Sequence, residues 1–387
     1  MPKVSERIAS IPLSGIRQIM EYAKGIRDII YLNIGEPDLA TPQHIKDAGK
    51  RAIDEDFTHY TPLGGFPELR QAIADKLKIE HNIEVDPESE VLITAGAQPG
   101  FFSSCGAILE AGDEVIVHEP FYPSYEVTLR VIGAKIVKVP LKEEEGYTLD
   151  IQKVEEKISE KTRAIILNSP NNPTGAVFRK DSLKAIAEIA KDHDLIVISD
   201  EVYEKLVYDG EKHISIASFD GMKERTIIVN SFSKTYAMTG WRIGFVVACR
   251  DVMKHISKVH HTMNVCASAI SQRAAIAALR GSQKCVEEMV NEYAKRRDEI
   301  VRLVNEIKGF TCQKPKGAFF IFPNIKSYKM PSMEIAKYLI KEAGVVTVPG
   351  SSFGESGEGH IRISYAASIE NIRRGMTRIK EAVEKLI

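Results

Sequence analysis

The sequence predicts an α/β protein in which a largely parallel sheet lies between helices, with a smaller α/β unit attached. Three observations predict it. Runs such as 91–94 (Val-Leu-Ile-Thr), 195–199 (Leu-Ile-Val-Ile-Ser) and 226–230 (Thr-Ile-Ile-Val-Asn) are short, rich in β-branched residues and apolar at successive positions. Strands buried on both faces of a parallel sheet read this way. Stretches with helical spacing separate them. Polar residues suited to ligand binding gather where the runs end, and the carboxyl ends of strands form the binding crevice of open α/β sheets.

The 387 residues exceed what one simple core organises, which favours two units. The expected division is an arm with part of the smaller unit over 1–40, a large domain over 41–285 and a small C-terminal domain over 286–387. Hydrophobic residues at 44% and charged residues at 27% describe an ordinary globular chain. The net charge of -1 provides no field for nucleic acid or an anionic membrane. No apolar run approaches the roughly 20 residues that span a bilayer, and residues 1–7 lack the apolar core of a signal peptide. The five cysteines are scattered and form no Cys-x-x-Cys, so a reducing cytoplasm is the expected location. No metal site is expected, because the ten histidines include no His-x-x-x-His.

In chain order, 14–26 and 41–56 read as helices, and 31–38 as a short strand ending in the turn Gly35-Glu36-Pro37. Tyr60 opens a Gly/Pro loop that enters a helix at Pro67, a favoured first helical position. The strand 91–94 passes through Gly96, Ala97 and Gln98 into a helix reaching about 109. Such a turn presents backbone N–H groups and the positive end of a helix dipole, which suits a phosphate. Neither a dinucleotide fingerprint nor a Walker sequence is present.

The strand 113–118 ends in a rim of Pro120, Phe121, Tyr122 and Pro123. The strand 163–168 ends in Asn171-Asn172-Pro173-Thr174-Gly175, a dense turn cluster. A helix precedes the strand 195–199, which ends in Asp200-Glu201-Val202-Tyr203. Asp200 is either a helix cap or a carboxylate that needs a cation. Helices fill 251–308, an aromatic strand 316–322, and an alternating strand with Arg362 spans 360–365. Gly350-Ser351-Ser352-Phe353-Gly354 fits the hydrolase Gly-x-Ser-x-Gly pattern, but loop rather than helix follows it, so it is set aside. Ile369, Ile372, Met376, Ile379, Val383 and Leu386 make an amphipathic C-terminal helix.

The stretch that organises the rest is Ser231-Phe232-Ser233-Lys234, followed by Gly240-Trp241-Arg242-Ile243-Gly244, with a strand read over 241–247. By itself Lys234 reads as a surface lysine. Between two buried strands it reads instead as an amine kept neutral or consumed as an imine. Ser231, Ser233 and Arg242 make a phosphate cradle, and an imine-forming lysine beside a phosphate site suggests pyridoxal phosphate.

These two motifs resemble the cofactor-lysine signature of the class I/II pyridoxal-phosphate aminotransferases, and the resemblance extends over essentially the whole chain. It implies the fold type I architecture, with a mostly parallel seven-stranded sheet in the large domain. Carried residue by residue, it implies that Lys234 is the Schiff-base lysine and proton shuttle. Asp200 would hold the pyridine nitrogen, and Asn172 and Tyr203 the phenolic oxygen. Tyr122 would stack on the ring. Ser231, Ser233, Arg242 and the Gly96, Ala97, Gln98 turn would bind the phosphate, with Tyr60 reaching across from a partner subunit of a homodimer. Gly35, Asn172 and Arg362 would meet the substrate, Arg362 gripping its α-carboxylate.

The implied reaction moves an amino group from an amino acid to a 2-oxo acid by ping-pong kinetics. Within the family the chain resembles the archaeal aromatic-amino-acid and kynurenine aminotransferases, because Gln98 stands where some members carry lysine and Ile16, Phe121, Tyr122 and Phe353 are apolar. An aromatic donor with 2-oxoglutarate as acceptor is therefore expected. An aspartate or broad-specificity enzyme, a carbon–sulfur lyase and a non-enzymatic sensor are the alternatives.

Overall fold

The computed structural model describes residues 4–11 and 14–386. Residues 1–3, on which part of the reading of the N-terminus rests, lie outside them. Among the described residues there are twelve strands: β1 (Ile30–Tyr31), β2 (Val91–Thr94), β3 (Glu114–Glu119), β4 (Lys135–Pro140), β5 (Thr162–Asn168), β6 (Ile196–Asp200), β7 (Thr226–Ser231), β8 (Gly244–Val247), β9 (Phe320–Ile321), β10 (Val345–Val346), β11 (Val348–Pro349) and β12 (Ile361–Ser364).

Seven of them form one sheet in the order β2-β8-β7-β6-β5-β3-β4. Strands β7, β6, β5, β3 and β4 are mutually parallel, while β8 runs antiparallel to both β7 and β2. Six strands therefore point one way, and β8 alone brings its first residue, Gly244, to the edge where the others finish. The expected mostly parallel seven-stranded sheet is present.

The sheet is covered on both faces because successive residues of each strand point opposite ways. Ile227 and Val229 pack with Phe101, Cys105, Tyr125, Met253 and Ile256. Ile228, between them, packs with Leu69, Ile73, Ala274 and Ala275 on the other face. Every residue of β2 and β7 is buried, which is why both read as unbroken apolar runs. β4, at the sheet edge, instead alternates Lys-Ile-Val-Lys-Val and exposes Lys135. Lysines on an edge discourage pairing with other chains.

The remaining strands make two small sheets, β1 with β10 and β9 with β12 and β11. They pack with the helices Lys284–Asn305, Ser332–Ala343 and Ile369–Val383 around Tyr293, Phe319, Phe320, Leu339, Ile372 and Ile379. Tyr203 and Leu206, from the segment after β6, join this cluster. Arg297 reinforces the junction. Its guanidinium is fully buried over the ring of Tyr208, 4.7 Å away, and pairs with Asp209 at 2.8 Å and Asp298 at 2.7 Å.

Three expected strands are shorter than the sequence suggests, and the one read over 31–38 contracts to Ile30–Tyr31. The strand read over 241–247 begins only at Gly244, because Thr239–Trp241 forms a helical turn and Arg242 has a left-handed backbone with φ +50°. The strand read over 316–322 contracts to Phe320–Ile321. There Lys316 and Gly317 donate instead to the Gly175 carbonyl, and Ala318 is left-handed. The helices Ser124–Ile132 and Ser332–Ala343 and the strands β4, β10 and β11 are additions to the sequence reading. After the set-aside serine motif comes a short helical turn, Glu355–Gly357, with no α-helix. No helix of the described residues is long and apolar enough to cross a membrane.

Gly244 shows how tightly the functional edge is assembled. A Cβ there would lie 2.7 Å from the Asn230 carbonyl oxygen and 2.9 Å from the amide nitrogen of Ala97. Both obstacles are backbone, so neither yields by rotating a side chain. Gly244→Ala is expected to lower stability by about 1–3 kcal/mol, as overpacking of a filled interior does, measured by thermal or urea unfolding. An unchanged midpoint would mean that the turn at Gly96 is softer than this contact implies.

Candidate active site

The parallel strands carry their polar ends to one place. Gly96 follows β2, Tyr122 follows β3, Asn172 follows β5, Asp200 is the last residue of β6, and Lys234 follows β7. Arg242 arrives at the same edge just before β8. These residues, except Gly96, line one cavity of about 520 Å³ together with Gly35, Ala97, Gln98, Tyr203, Ser231, Ser233 and Arg362. Gly96 borders it through Arg242, whose Nη2 would stand 2.6 Å from a Cβ at that glycine. Its φ of +100° is a second reason for glycine there. Tyr60 is the exception. It is 82% exposed and sits in a separate groove with Phe57, Cys266 and Ile270.

Lys234 lies in the short helix Phe232–Thr235, whose first turn is capped by the Ser231 side chain accepting from the Ser233 amide. Lys234 Nζ donates to the Gly35 carbonyl at 2.5 Å and makes no ion pair among the described residues. Burial, with the Arg362 and Arg242 guanidiniums adding to it, pulls this amine down to about 8 against the attraction of Glu36 and Asp200. The amine therefore titrates close to physiological pH, where a neutral fraction coexists with the ammonium.

Arg362, in β12, is buried. Its Nη1 donates to Asn172 Oδ1 at 2.9 Å and its Nη2 to the Asn33 carbonyl at 2.8 Å. Its Nε has no hydrogen-bond partner, and no carboxylate pairs with it among the described residues. The rings of Phe320 and Phe353 lie 4.2 and 5.0 Å from the guanidinium carbon. Burial pulls even this group down to about 10. A guanidinium so desolvated, with a donor to spare, is a site for an anion of the ligand.

Asp200 is buried, and burial pushes its carboxyl up to about 6, although the hydroxyl of Tyr125 and the Val202 amide both donate to it. Tyr203 packs edge-on against Phe319 and Phe320, and burial raises its hydroxyl, so it remains a donor. Asn172 is held by its own amide, which donates to Asn168 Oδ1 at 2.9 Å. With Oδ1 occupied by Arg362, the side-chain Nδ2 is the group left to donate. Ser231 and Ser233 hydroxyls lie 2.9 Å apart. Arg242 Nη1 donates to the Thr239 carbonyl at 2.9 Å.

The chemistry of this donor set fits a phosphorylated pyridine aldehyde. Two hydroxyls, a guanidinium and the first amides of the helix Ala97–Ile108 suit the phosphate. A buried carboxylate without a cation suits a protonated ring nitrogen, and a neutral amine suits the aldehyde. Sequence reasoning missed Tyr125, Asn33, Asn168 and Met20, all of which line the cavity. Asn33 lies within the stretch read for Gly35, and Tyr125 three residues after Tyr122, just past the rim read there, so both were adjacent to a signal.

The chain's relatives agree with this chemistry. The family model of aminotransferase class I and II matches residues 27–379. An aspartate aminotransferase of Pyrococcus abyssi is 47% identical over 99% of this chain and 98% of its own. An aromatic-amino-acid aminotransferase of Thermococcus litoralis is 44% identical over 99% and 98%. The crystal structure of an aromatic aminotransferase from Pyrococcus horikoshii superposes with a TM-score of 0.91 at 45% identity, covering 95% of this chain and all of that one. Fold, donor set and relatives lead to one conclusion: the chain belongs to the class I and II aminotransferases, and is a pyridoxal-phosphate-dependent aminotransferase of fold type I.

Proposed function

We propose that this aminotransferase takes its amino group from an aromatic amino acid and delivers it to 2-oxoglutarate by a ping-pong sequence. The observation that carries the reading is Arg362, buried, tied to Asn172 and Asn33, and left with an unpartnered Nε beside Lys234. A bidentate grip on the substrate's α-carboxylate would complete its donors and set the α-carbon in reach of the lysine.

The cofactor, when bound, supplies the carbonyl that exchanges with the amino group and a ring that accepts electrons from the α-carbon. Ser231, Ser233, Arg242 and the Gly96, Ala97, Gln98 turn would hold its phosphate. Tyr122 would cover its ring, Asp200 would keep its ring nitrogen protonated, and Asn172 and Tyr203 would donate to its phenolic oxygen. Lys234 would anchor it and, once freed by the incoming amine, would take the proton from the substrate α-carbon as a neutral base and return it as an acid. Gly35 keeps the wall beside the substrate low.

Aromatic preference is supported by the walls near the opening, where Ile16, Met20, Ile34 and Tyr122 are apolar. The lining cations are Lys234, Arg242 and Arg362, each with a role above, and Glu36 is an anion that would repel a second carboxylate. A second reading, aspartate as donor, is favoured by the aspartate aminotransferases among the relatives. In a homodimer, exposed Tyr60 would complete the partner's phosphate site. The chain would divide near 40 and 285 and work in the cytoplasm.

Three measurements test this. Without acceptor, phenylalanine, tyrosine or kynurenine should convert the cofactor's absorbance stoichiometrically at lower concentration than aspartate or alanine. Conversion led by aspartate would transfer the assignment to the second reading, and ammonia release without conversion would indicate a lyase. Arg362→Gln should lower kcat/KM by about 10²–10³-fold, the loss of two hydrogen bonds to a charged group, with cofactor binding retained. An effect under tenfold would remove Arg362 from carboxylate binding. Because only the neutral amine accepts a proton, the rate sensitive to α-deuteration should rise with pH through about 8 and level off above it. A flat profile between about pH 6 and 9 would show that the neutral fraction of Lys234 does not limit proton transfer.

A further inference from the structure

Asp200 does not stand alone at the end of β6. The hydroxyl of Tyr125, in the helix Ser124–Ile132, donates to its Oδ2 at 2.5 Å. The Val202 amide donates to Oδ1 at 3.3 Å. Tyr125 is buried, and its ring packs on Phe101 at 4.8 Å and meets Tyr122 edge-on at 5.8 Å. One side chain therefore touches both the carboxylate and the aromatic that flanks the cavity. The ring is fixed by packing, so the direction of the hydroxyl is fixed too, and little freedom is lost in making the bond.

We propose that Tyr125 is a positioning residue that orients the Asp200 carboxylate toward the cofactor's ring nitrogen and keeps it ionised. The proposal rests on the reading of Asp200 as the partner of that nitrogen. A carboxylate in an apolar surrounding loses its charge unless donors compensate for the missing water. Tyr125 can only donate, because burial and the neighbouring Asp200 raise its own hydroxyl far above the usual phenol range. The charged and titratable groups facing Asp200 are Glu201 beside it, Lys234 from the helix after β7, and the tyrosines 125 and 203, each of which neighbours Tyr122. Glu201 disfavours ionisation and Lys234 favours it. Lys234 is withdrawn as a countercharge once it is neutral, which leaves the Tyr125 hydroxyl as the side-chain hydrogen bond to the carboxylate.

The test is the pH dependence of pyridoxamine phosphate binding to the full-length protein, followed by cofactor absorbance; this form lacks the aldehyde, so imine formation at Lys234 does not enter the titration. In the unaltered protein affinity should rise with pH as Asp200 ionises. Tyr125→Phe keeps the ring and its packing and removes only the donor. Its midpoint should move up by about one to two pH units, the size of a hydrogen bond to a charged group, and its affinity should rejoin the unaltered protein's at high pH. A 3-fluorotyrosine placed at 125, a stronger donor of nearly equal size, should move the midpoint down. An affinity lowered equally at every pH, or a midpoint that neither change moves, would overturn the proposal. Asp200→Asn separates the two layers. If that variant keeps the same pH dependence, the assignment of Asp200 has failed; if it loses the dependence while Tyr125→Phe leaves the midpoint in place, only the role of Tyr125 has failed.

Discussion

The site depends on a cation removed from water without an acidic partner. Taking a guanidinium into an interior is costly unless its donors are met, and the protein contains two solutions to that problem. Arg297 is buried among carboxylates, Asp209 and Asp298, and is complete as it stands. Arg362 is buried among amide oxygens, from Asn172 and Asn33, with aromatic rings on its sides. Neutral oxygens satisfy its geometry without neutralising its charge. The first arrangement closes a junction between packed units; the second leaves an electrostatic demand that, on the proposed role of Arg362, a ligand's carboxylate would meet. The same distinction applies to Lys234, whose hydrogen-bond partner is a carbonyl and not an acid.

Much of the fold was legible because the central strands are buried on both faces and so lack the alternation that blurs strand with helix. The edge strand Lys135–Pro140 alternates weakly and was not read. The stretch 241–243 reads as strand by composition, yet the left-handed turn at Arg242 overrides it. That turn directs the guanidinium toward the Thr239 carbonyl and Gly96, a tertiary demand invisible to local propensity. Among site residues, Lys234, Asp200 and Asn172 could be found because each ends a recognisable strand. Tyr125 and Asn33 sit beside such positions but carry no signal of their own, because their contacts join positions 75 and 329 apart.

Substrate preference is the least legible property, for a physical reason. Cofactor chemistry needs particular groups at particular atoms, so it leaves motifs. Discrimination between two side chains is a difference of affinities spread over a wall. Here that wall includes Ile16 and Met20 of the helix Gly15–Ala23, which no chemical requirement ties to a pattern. The two kinds of donor named among the relatives are both compatible with the same cofactor cradle.

The contact between Arg362 and Asn33 also has a temporal side. Lys234, Asp200 and Asn172 are all made well before residue 362 leaves the ribosome, and the sheet that carries them does not include β12. The strand ends proposed to hold the cofactor are thus synthesised before the arginine proposed to hold the carboxylate, whereas the rings of Phe319 and Phe320, on which Tyr203 packs, come only later. On the roles proposed above, the packing of Tyr203 on Phe319 and Phe320 and the bond from Arg362 to Asn172 make the C-terminal part of the chain complete both functions together.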